Sequence, residues 1–353
     1  MDKWLTTVLV KEIKGGKWQF APIDVLLLIG ITVCGVMLRM TVAGSYPVLE
    51  TYGPYVSAKM GIQIACYIFD FAIAVLLAVA VFQFTKHKIK GFLAYGIAFV
   101  LPVLVSASAM WALGDSIYLF FALLSFVLFL NEKSNLAVLI YGISVFLHPY
   151  ALFLLPLYVL AYLQGKIKLA SFLSPIAGVA LHYVLANANS FVLFAAENAL
   201  LKQRESKLLS YNCPNIFHII GPDKFVNEYE KVALLFTIGL TAVLVLVLLT
   251  KKLGNTVVEK IEIALFLSLF LPFFLPGMNE RSLVLACVIS LVYSFVKLHR
   301  FWLPIVITII SYISYSAFFR GESAVPLTGV AFVLLFLIAY LVGQFVKTES
   351  VNN

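Results

Sequence analysis

Ten side chains in this chain run against its hydrophobic trend and have types that bind anions or move protons. They are Arg39, Glu50, Trp111, Asp115, Tyr118, His148, Asn212, Asn215, Glu280 and Arg281. Glu50 and Asp115 are the candidate proton acceptors, since a carboxylate near an acceptor hydroxyl can serve as a general base. Arg39 and Arg281 are the candidate phosphate ligands, because the planar guanidinium grips oxygens in pairs. The other six are candidate substrate-binding residues. Each also has a plainer reading. The arginines could snorkel or pair at the surface, Arg281 with the adjacent Glu280 for instance. Asp115 with Ser116 could simply cap the helix it opens. Asp70 lies midway along an apolar run and reads as an interhelical hydrogen-bond partner. Glu262, near the end of another run, reads as reaching the interface.

The elements that must position these groups are membrane helices. Of the 353 residues, 62% are hydrophobic and only 12% are charged, against roughly 45–50% and 25% for a soluble domain. This excludes a soluble enzyme, a disordered chain and a disulfide-stapled module. About 20 apolar residues cross the hydrocarbon core. Runs of that kind occupy about 24–42, 61–84, 91–110, 168–186, 232–250, 259–275, 282–297, 301–318 and 328–346, with shorter ones at 115–130, 136–147 and 150–163. The reading is an all-α polytopic bundle of about 12 membrane segments, some too short to cross fully, with His148-Pro149 either a kink or a reversal.

Charge sets the expected orientation. With the N-terminus inside, sixteen of the 25 Lys and Arg residues fall in inner loops, which places both termini in the cytoplasm. Most of the unusual polar residues then share the outer side, where mixed charges beside lipid could hold a lipid-linked anion. Residues 3–14 read as an interfacial helix, 187–231 as a long outer loop, 1–346 as one transmembrane domain and 347–353 as a cytoplasmic tail. The net charge of +8 reports this orientation, and no nucleic-acid partner is expected. The four cysteines, Cys34, Cys66, Cys213 and Cys287, have no metal-ligand spacing and read as packing residues. His148, His182 and His218 likewise share no ligand spacing. No phosphate-cradling glycine loop is present, so no nucleotide donor is expected.

Four stretches resemble a known family. Trp111-Ala-Leu-Gly-Asp115-Ser-Ile-Tyr118 is similar to the W-G-Q-C-D-S-I-Y signature of the polytopic mannosyltransferases of GPI-anchor assembly and their prokaryotic relatives. Phe146-Leu-His148-Pro149 through Pro156 resembles that family's F-K-P-Q-A-L-F-L-L-P element. Ser210-Tyr-Asn212-Cys-Pro214-Asn215-Ile-Phe217 resembles its N-A-P-N-L-W loop, and Pro276-Gly277-Met278-Asn279-Glu280-Arg281 its P-G-M-H-E-R-Y turn. The four occur in the family's order over about residues 111–282.

The resemblance implies a glycosyltransferase of the GT-C class, with a multi-pass helical fold and a sugar donor carried on polyprenyl phosphate. It implies transfer of a hexose, mannose among the candidates, to an envelope glycan or lipid-linked acceptor; the charge pattern puts the site on the outer face, and the compact termini and short loops point to a prokaryotic plasma membrane. It also implies inversion at the anomeric carbon. A divalent cation, Mg²⁺ or Mn²⁺, bound through Asp115 and Glu50 is a further expectation, since some members of the wider class bind one. Several positions depart from the family pattern. Leu113, His148, Asn279 and Ser282 stand where the family has Gln, Lys, His and Tyr. Ser45 stands where the first outer loop of relatives carries an Asp, the proposed base, which leaves Glu50 or Asp115 for that role. Two rival readings stay open: an envelope polysaccharide polymerase, and a catalytically silent GT-C-like partner subunit or transporter.

Overall fold

The structure, a computed structural model, describes residues 13–15, 18–43, 56–112, 114–188, 208–221 and 226–352. Among the described residues, a two-stranded antiparallel pair, β1 (Ile13–Gly15) and β2 (Trp18–Phe20), precedes fourteen α-helices. The chain continues through α1 (Pro22–Ala43), α2 (Val56–Thr85), α3 (Lys88–Phe99) and α4 (Pro102–Val105), and then a π-helical turn at Ser106–Trp111. Next come α5 (Asp115–Leu130), α6 (Ser134–Leu147), a 3₁₀ segment Pro149–Leu154, α7 (Leu155–Leu163) and α8 (Leu173–Asn187). The short α9 (Ile216–Ile220) leads to α10 (Val226–Thr250), α11 (Val257–Phe274), α12 (Val284–Val296), α13 (Trp302–Arg320) and α14 (Leu327–Asn352).

Six helical stretches are long and apolar enough to cross a membrane: Pro22–Ala43, Met60–Thr85, Leu169–Asn187, Tyr229–Thr250, Leu298–Arg320 and Leu327–Phe345. A seventh is possible if Lys88–Phe99 and Pro102–Met110, bent by 41° at Pro102, count as one span. The protein is therefore an integral, multi-pass membrane protein, with six or seven candidate spans among the described residues rather than twelve. The expected count fails on length and charge. Asp115–Leu130, Ser134–Leu147, Pro149–Leu163 and Val284–Val296 are apolar but short. At 1.5 Å per residue, the 16 residues of α5 rise only about 24 Å, against a hydrocarbon core of about 30 Å. In α11, eighteen residues long, Glu259, Lys260 and Glu262 interrupt the apolar run.

The long and short helices occupy different places. The long ones turn apolar side chains outward, as at Leu27, Met37 and Met40 of α1 and Leu235 of α10, which suits lipid contact. The inner ones are enclosed by protein. Every residue from Lys260 to Phe273 in α11, and from Val284 to Phe295 in α12, is buried. A helix apolar on all faces belongs in such a position.

Two further expectations need correcting. The last residues of the expected interfacial helix, Ile13 and Lys14, are in β1 and pair with Phe20 and Gln19. The glycines at 15 and 16 disfavour a helix there. Residues 3–12 lie outside the described residues, as does most of the expected 187–231 loop, which in the described part gives way to α10 at Val226. Glu262 is held by protein partners near one end of the bundle rather than standing free. It is buried, accepts a hydrogen bond from Tyr293 Oη at 2.8 Å, and pairs with Lys297 at 3.3 Å. Cys34 faces outward, whereas Cys66, Cys213 and Cys287 pack inside.

End contacts define two poles. Lys260–Glu132, Gln164 on the Leu253 carbonyl, Lys297–Glu262 and Arg300–Gln344 gather at one. The turns that carry Asp115, His148, Asn212 and Arg281 gather at the other.

Candidate functional site

The approach to α5 is irregular. The π-helical turn closes with Ala112 N–H donating to the Ala107 carbonyl at 2.9 Å, and Gln63 Nε2 of α2 donates to the Ala109 carbonyl at 2.9 Å. Ala112 (φ 54°) and Gly114 (φ 84°) are both left-handed. Glycine adopts that region freely, whereas alanine there costs about 1–2 kcal/mol, so the surrounding packing must enforce the turn. π-Bulges of this kind concentrate at functional sites. Gly114 is the N-cap and offers no side chain, so the capping role expected of Asp115-Ser116 is not taken up. Asp115, the first helical residue, instead faces Arg281, with Oδ2 to Nε at 3.6 Å. The Ser116 hydroxyl donates to Asp70 Oδ1 at 2.5 Å.

Arg281 arrives from a turn that fixes itself. Asn279 Oδ1 accepts the Arg281 amide at 3.0 Å, and Ser282 Oγ accepts the Asn279 amide at 3.0 Å. The two residues that depart from the family pattern, Asn279 and Ser282, thus form the turn's own hydrogen bonds. Backbone bonds from Gly277 N–H to the Leu209 carbonyl (2.8 Å) and from Tyr211 N–H to the Met278 carbonyl (3.0 Å) fasten this turn to the 208–221 segment. Asn212 Nδ2 then reaches Glu280 Oε2 at 3.4 Å, and Ser314 Oγ of α13 donates to the Asn212 carbonyl at 2.6 Å.

His148 ends α6 in an extended conformation (φ −155°, ψ 135°). Tyr141 Oη donates to the Ala151 carbonyl at 2.9 Å, so the chain doubles back at His148-Pro149, a reversal rather than a kink. The imidazole stacks on Tyr118, with ring centroids 4.8 Å apart, and its Nε2 lies 2.8 Å from Arg281 Nη2. Four segments distant in sequence therefore bring Asp115, Tyr118, His148 and Arg281 into one buried cluster, with Glu280 and Asn212 at its edge.

The remaining candidates sit elsewhere. Arg39 is fully buried between α1, α2 and α3. Its Nε and Nη2 lie 2.9 and 2.8 Å from Asp70 Oδ2, its Nη1 donates to the carbonyls of Gly35 (3.1 Å) and Phe99 (2.7 Å), and its guanidinium stacks on the Phe99 ring. A Cβ at Gly35 would come within 2.4 Å of that ring, so a glycine is required for this approach. In place of the expected phosphate grip, Arg39 makes this internal pairing, which is joined to the cluster through Asp70 and Ser116. Asn215 is also set apart. Its Oδ1 accepts the Phe217 amide at 3.1 Å and caps α9. Trp111 contributes backbone to the π-helical turn, and Glu50 and Ser45 lie outside the described residues.

The sequence reading did not single out Tyr315. It lies fully buried in α13, within electrostatic reach of Asp115, Arg281, Tyr118 and Glu280. A signal was present: Ser311, Ser314 and Tyr315 put three polar groups on one face of an otherwise apolar run. Beside the cluster, burial pushes the Cys213 thiol far above its ordinary range. The charge of Glu280 adds to this and Ser282 opposes it.

An apolar groove of about 750 Å³ opens next to the cluster, between the Pro149–Leu163 stretch and α10, with α11 beneath. Pro149, Tyr150 and Met278 line it at one end, and Leu163 and Leu246 at the other. Among the described residues no three His, Cys, Asp or Glu side chains gather as metal ligands. Of the two expected cation ligands, Asp115 lies 3.6 Å from Arg281, and Glu50 lies outside the described residues. Compared with protein-family models, with curated proteins and with solved structures, the chain matches none.

Proposed function

We propose that this protein is a membrane glycosyltransferase of the GT-C type. It moves a hexose, mannose among the candidates, from a polyprenyl-phosphate carrier to an envelope glycan or lipid-linked acceptor. The observation that carries the reading is the convergence of Asp115, Tyr118, His148 and Arg281 from three of the four stretches that bear the resemblance, with the fourth joined through Asn212 and Glu280. The site would face the outer side of a prokaryotic plasma membrane, with both termini in the cytoplasm.

In this mechanism Asp115 accepts the proton of the acceptor hydroxyl as that oxygen bonds the anomeric carbon. The bond from the anomeric carbon to the phosphate oxygen breaks, and the lipid phosphate leaves with the electron pair. Arg281 offsets its charge. Tyr118 and Asn212 orient the saccharide, and Glu280 holds Asn212. Arg39 and Asp70 act as positioning residues, since Ser116, bonded to Asp70, follows the base directly in α5.

The test supplies purified protein in nanodiscs with polyprenyl-phosphate hexose and candidate acceptors. Transfer of one sugar per acceptor, lost in Asp115→Asn, supports the reading. Transfer of a block of sugars favours a polymerase. No transfer from any donor favours the silent-subunit reading, which Ser45 at the family's acidic position motivates.

A further inference from the structure

Five tyrosines are among the largest fully enclosed side chains: Tyr118, Tyr141, Tyr158, Tyr293 and Tyr315. Three have an evident use for the hydroxyl. Tyr141 donates to the Ala151 carbonyl at 2.9 Å, Tyr158 bonds Ser125 Oγ at 2.5 Å, and Tyr293 donates to Glu262 at 2.8 Å. Tyr118 stacks on the His148 ring. Tyr315 differs. Its Oη is buried and has no hydrogen-bond partner among the described residues. Its ring stacks on Phe319, with centroids 6.3 Å apart, so packing holds the ring while nothing holds the hydroxyl. A buried donor without a partner bears its full desolvation cost, and such groups are rare enough to need a reason.

The neighbours of Tyr315 show where that hydroxyl sits. One residue earlier, Ser314 Oγ donates to the Asn212 carbonyl, and Asn212 Nδ2 reaches Glu280. One turn earlier, Ser311 lies beside the Cys287 thiol of α12. Tyr315 itself lies within electrostatic reach of Asp115, Arg281, Tyr118 and Glu280, which α5 and the 276–282 turn supply. α13 thus brings a further segment to the cluster.

The displacement described above decides which part of a reactant this group meets. Asp115 takes a proton on the acceptor side of the anomeric carbon, and Arg281 offsets charge on the phosphate side. The hexose itself lies between them, and a side chain within reach of both faces it. A sugar hydroxyl can accept from a phenol O–H while giving its own proton to a carboxylate. We propose that Tyr315 is a substrate-contacting residue that selects the transferred hexose, its Oη–H donating to one non-reacting hydroxyl of that sugar. The inference rests on the transferase reading for the identity of the ligand. A deoxy sugar leaves the phenol buried and unpaired, which is how the site tells the two apart.

The test measures binding and transfer by the full-length protein in nanodiscs. The probes are the undecaprenyl-phosphate derivatives of mannose, glucose and galactose and, for the tightest of these, the analogues that each lack one hydroxyl. In the wild type at least one analogue should bind about tenfold more weakly than its parent. Tyr315→Phe, which removes the oxygen and keeps the ring, should bind the parent about tenfold more weakly and should no longer distinguish that analogue. Without sugar, the same variant should melt at or above the wild-type temperature, because the hydroxyl it lacks has no partner to lose. A lower melting temperature assigns the hydroxyl a structural bond and overturns the proposal. Wild-type affinity and an unchanged ranking of analogues in Tyr315→Phe also overturn it, since a phenol that meets only a resident water gives that result. Analogue-dependent binding without transfer overturns the transferase reading and leaves the role of Tyr315 standing. Transfer by the wild type, unaltered in Tyr315→Phe, does the reverse. Binding of none of the three sugars overturns both.

Discussion

The two poles of the bundle bury similar charges with different outcomes. At one pole two lysines meet acids, Lys260 with Glu132 and Lys297 with Glu262. Lys260, fully enclosed, pairs with Glu132 at 2.5 Å and lies over the Phe129 ring. Lys166 donates to Asn255 Oδ1 and the Gly254 carbonyl, and Glu259 closes a capping box with Thr256. These contacts join the α5–α6, α7–α8 and α10–α11 connections as a latch. At the other pole, Asp115 stands 3.6 Å from Arg281, and Arg281 points its far end at an imidazole. The latch ties neighbouring connections of the chain to one another, and satisfied buried polar networks of that kind rigidify. The other pole instead gathers an acid, an arginine and an imidazole from segments distant in sequence.

Breaking each pole separately sharpens this contrast. The largest effect is expected for Asp115→Asn, which should lower the transfer rate per folded molecule about 10²- to 10⁴-fold, read from kcat on protein whose folded fraction is checked by a melting curve on the same sample. Next is Arg39→Met. It leaves Asp70 buried without its counter-charge and should destabilise by about 3–5 kcal/mol, whereas Arg39→Met with Asp70→Leu should recover most of that loss. Glu132→Gln should cost about 1–3 kcal/mol, because enclosed Lys260 loses its counter-charge while the amide oxygen of Gln can still accept from it, and should leave turnover per folded molecule intact. The smallest effect is chemical. In a Cys34→Ser background, Cys213 should resist maleimide through pH 9 and react only on unfolding, because its raised pKa keeps the thiol protonated as pH rises. Labelling of the native protein at pH 8 would place that segment at the surface.

Much of the site was legible because membrane sequences advertise their exceptions. Asp115, His148 and Arg281 stood out as polar groups in an apolar chain, and the structure brings them together. The role of Arg39 was not legible. An arginine at the end of an apolar run reads alike whether it grips a ligand or pairs with Asp70, thirty-one residues away, and only the helix crossing decides. Tyr315 was hidden for the opposite reason, since tyrosine counts as apolar in a hydropathy reading. The fold class was legible from composition. The number of spans was not, because hydropathy alone does not separate a helix buried in protein from one buried in lipid. α12, thirteen residues long and enclosed on all sides, is the plainest case.

The brevity of the inner helices has a further consequence. α5 and α12 rise only about 24 and 20 Å, while α1, with 22 residues, rises about 33 Å. Tall walls around a low floor make a well within the bilayer. For the transfer proposed above, a reactant that enters it leaves part of its hydration behind, and slower competing hydrolysis is the expected result. The depth of that well depends on the thickness of the surrounding lipid, which makes the acyl-chain length of the host membrane a lever on the reaction.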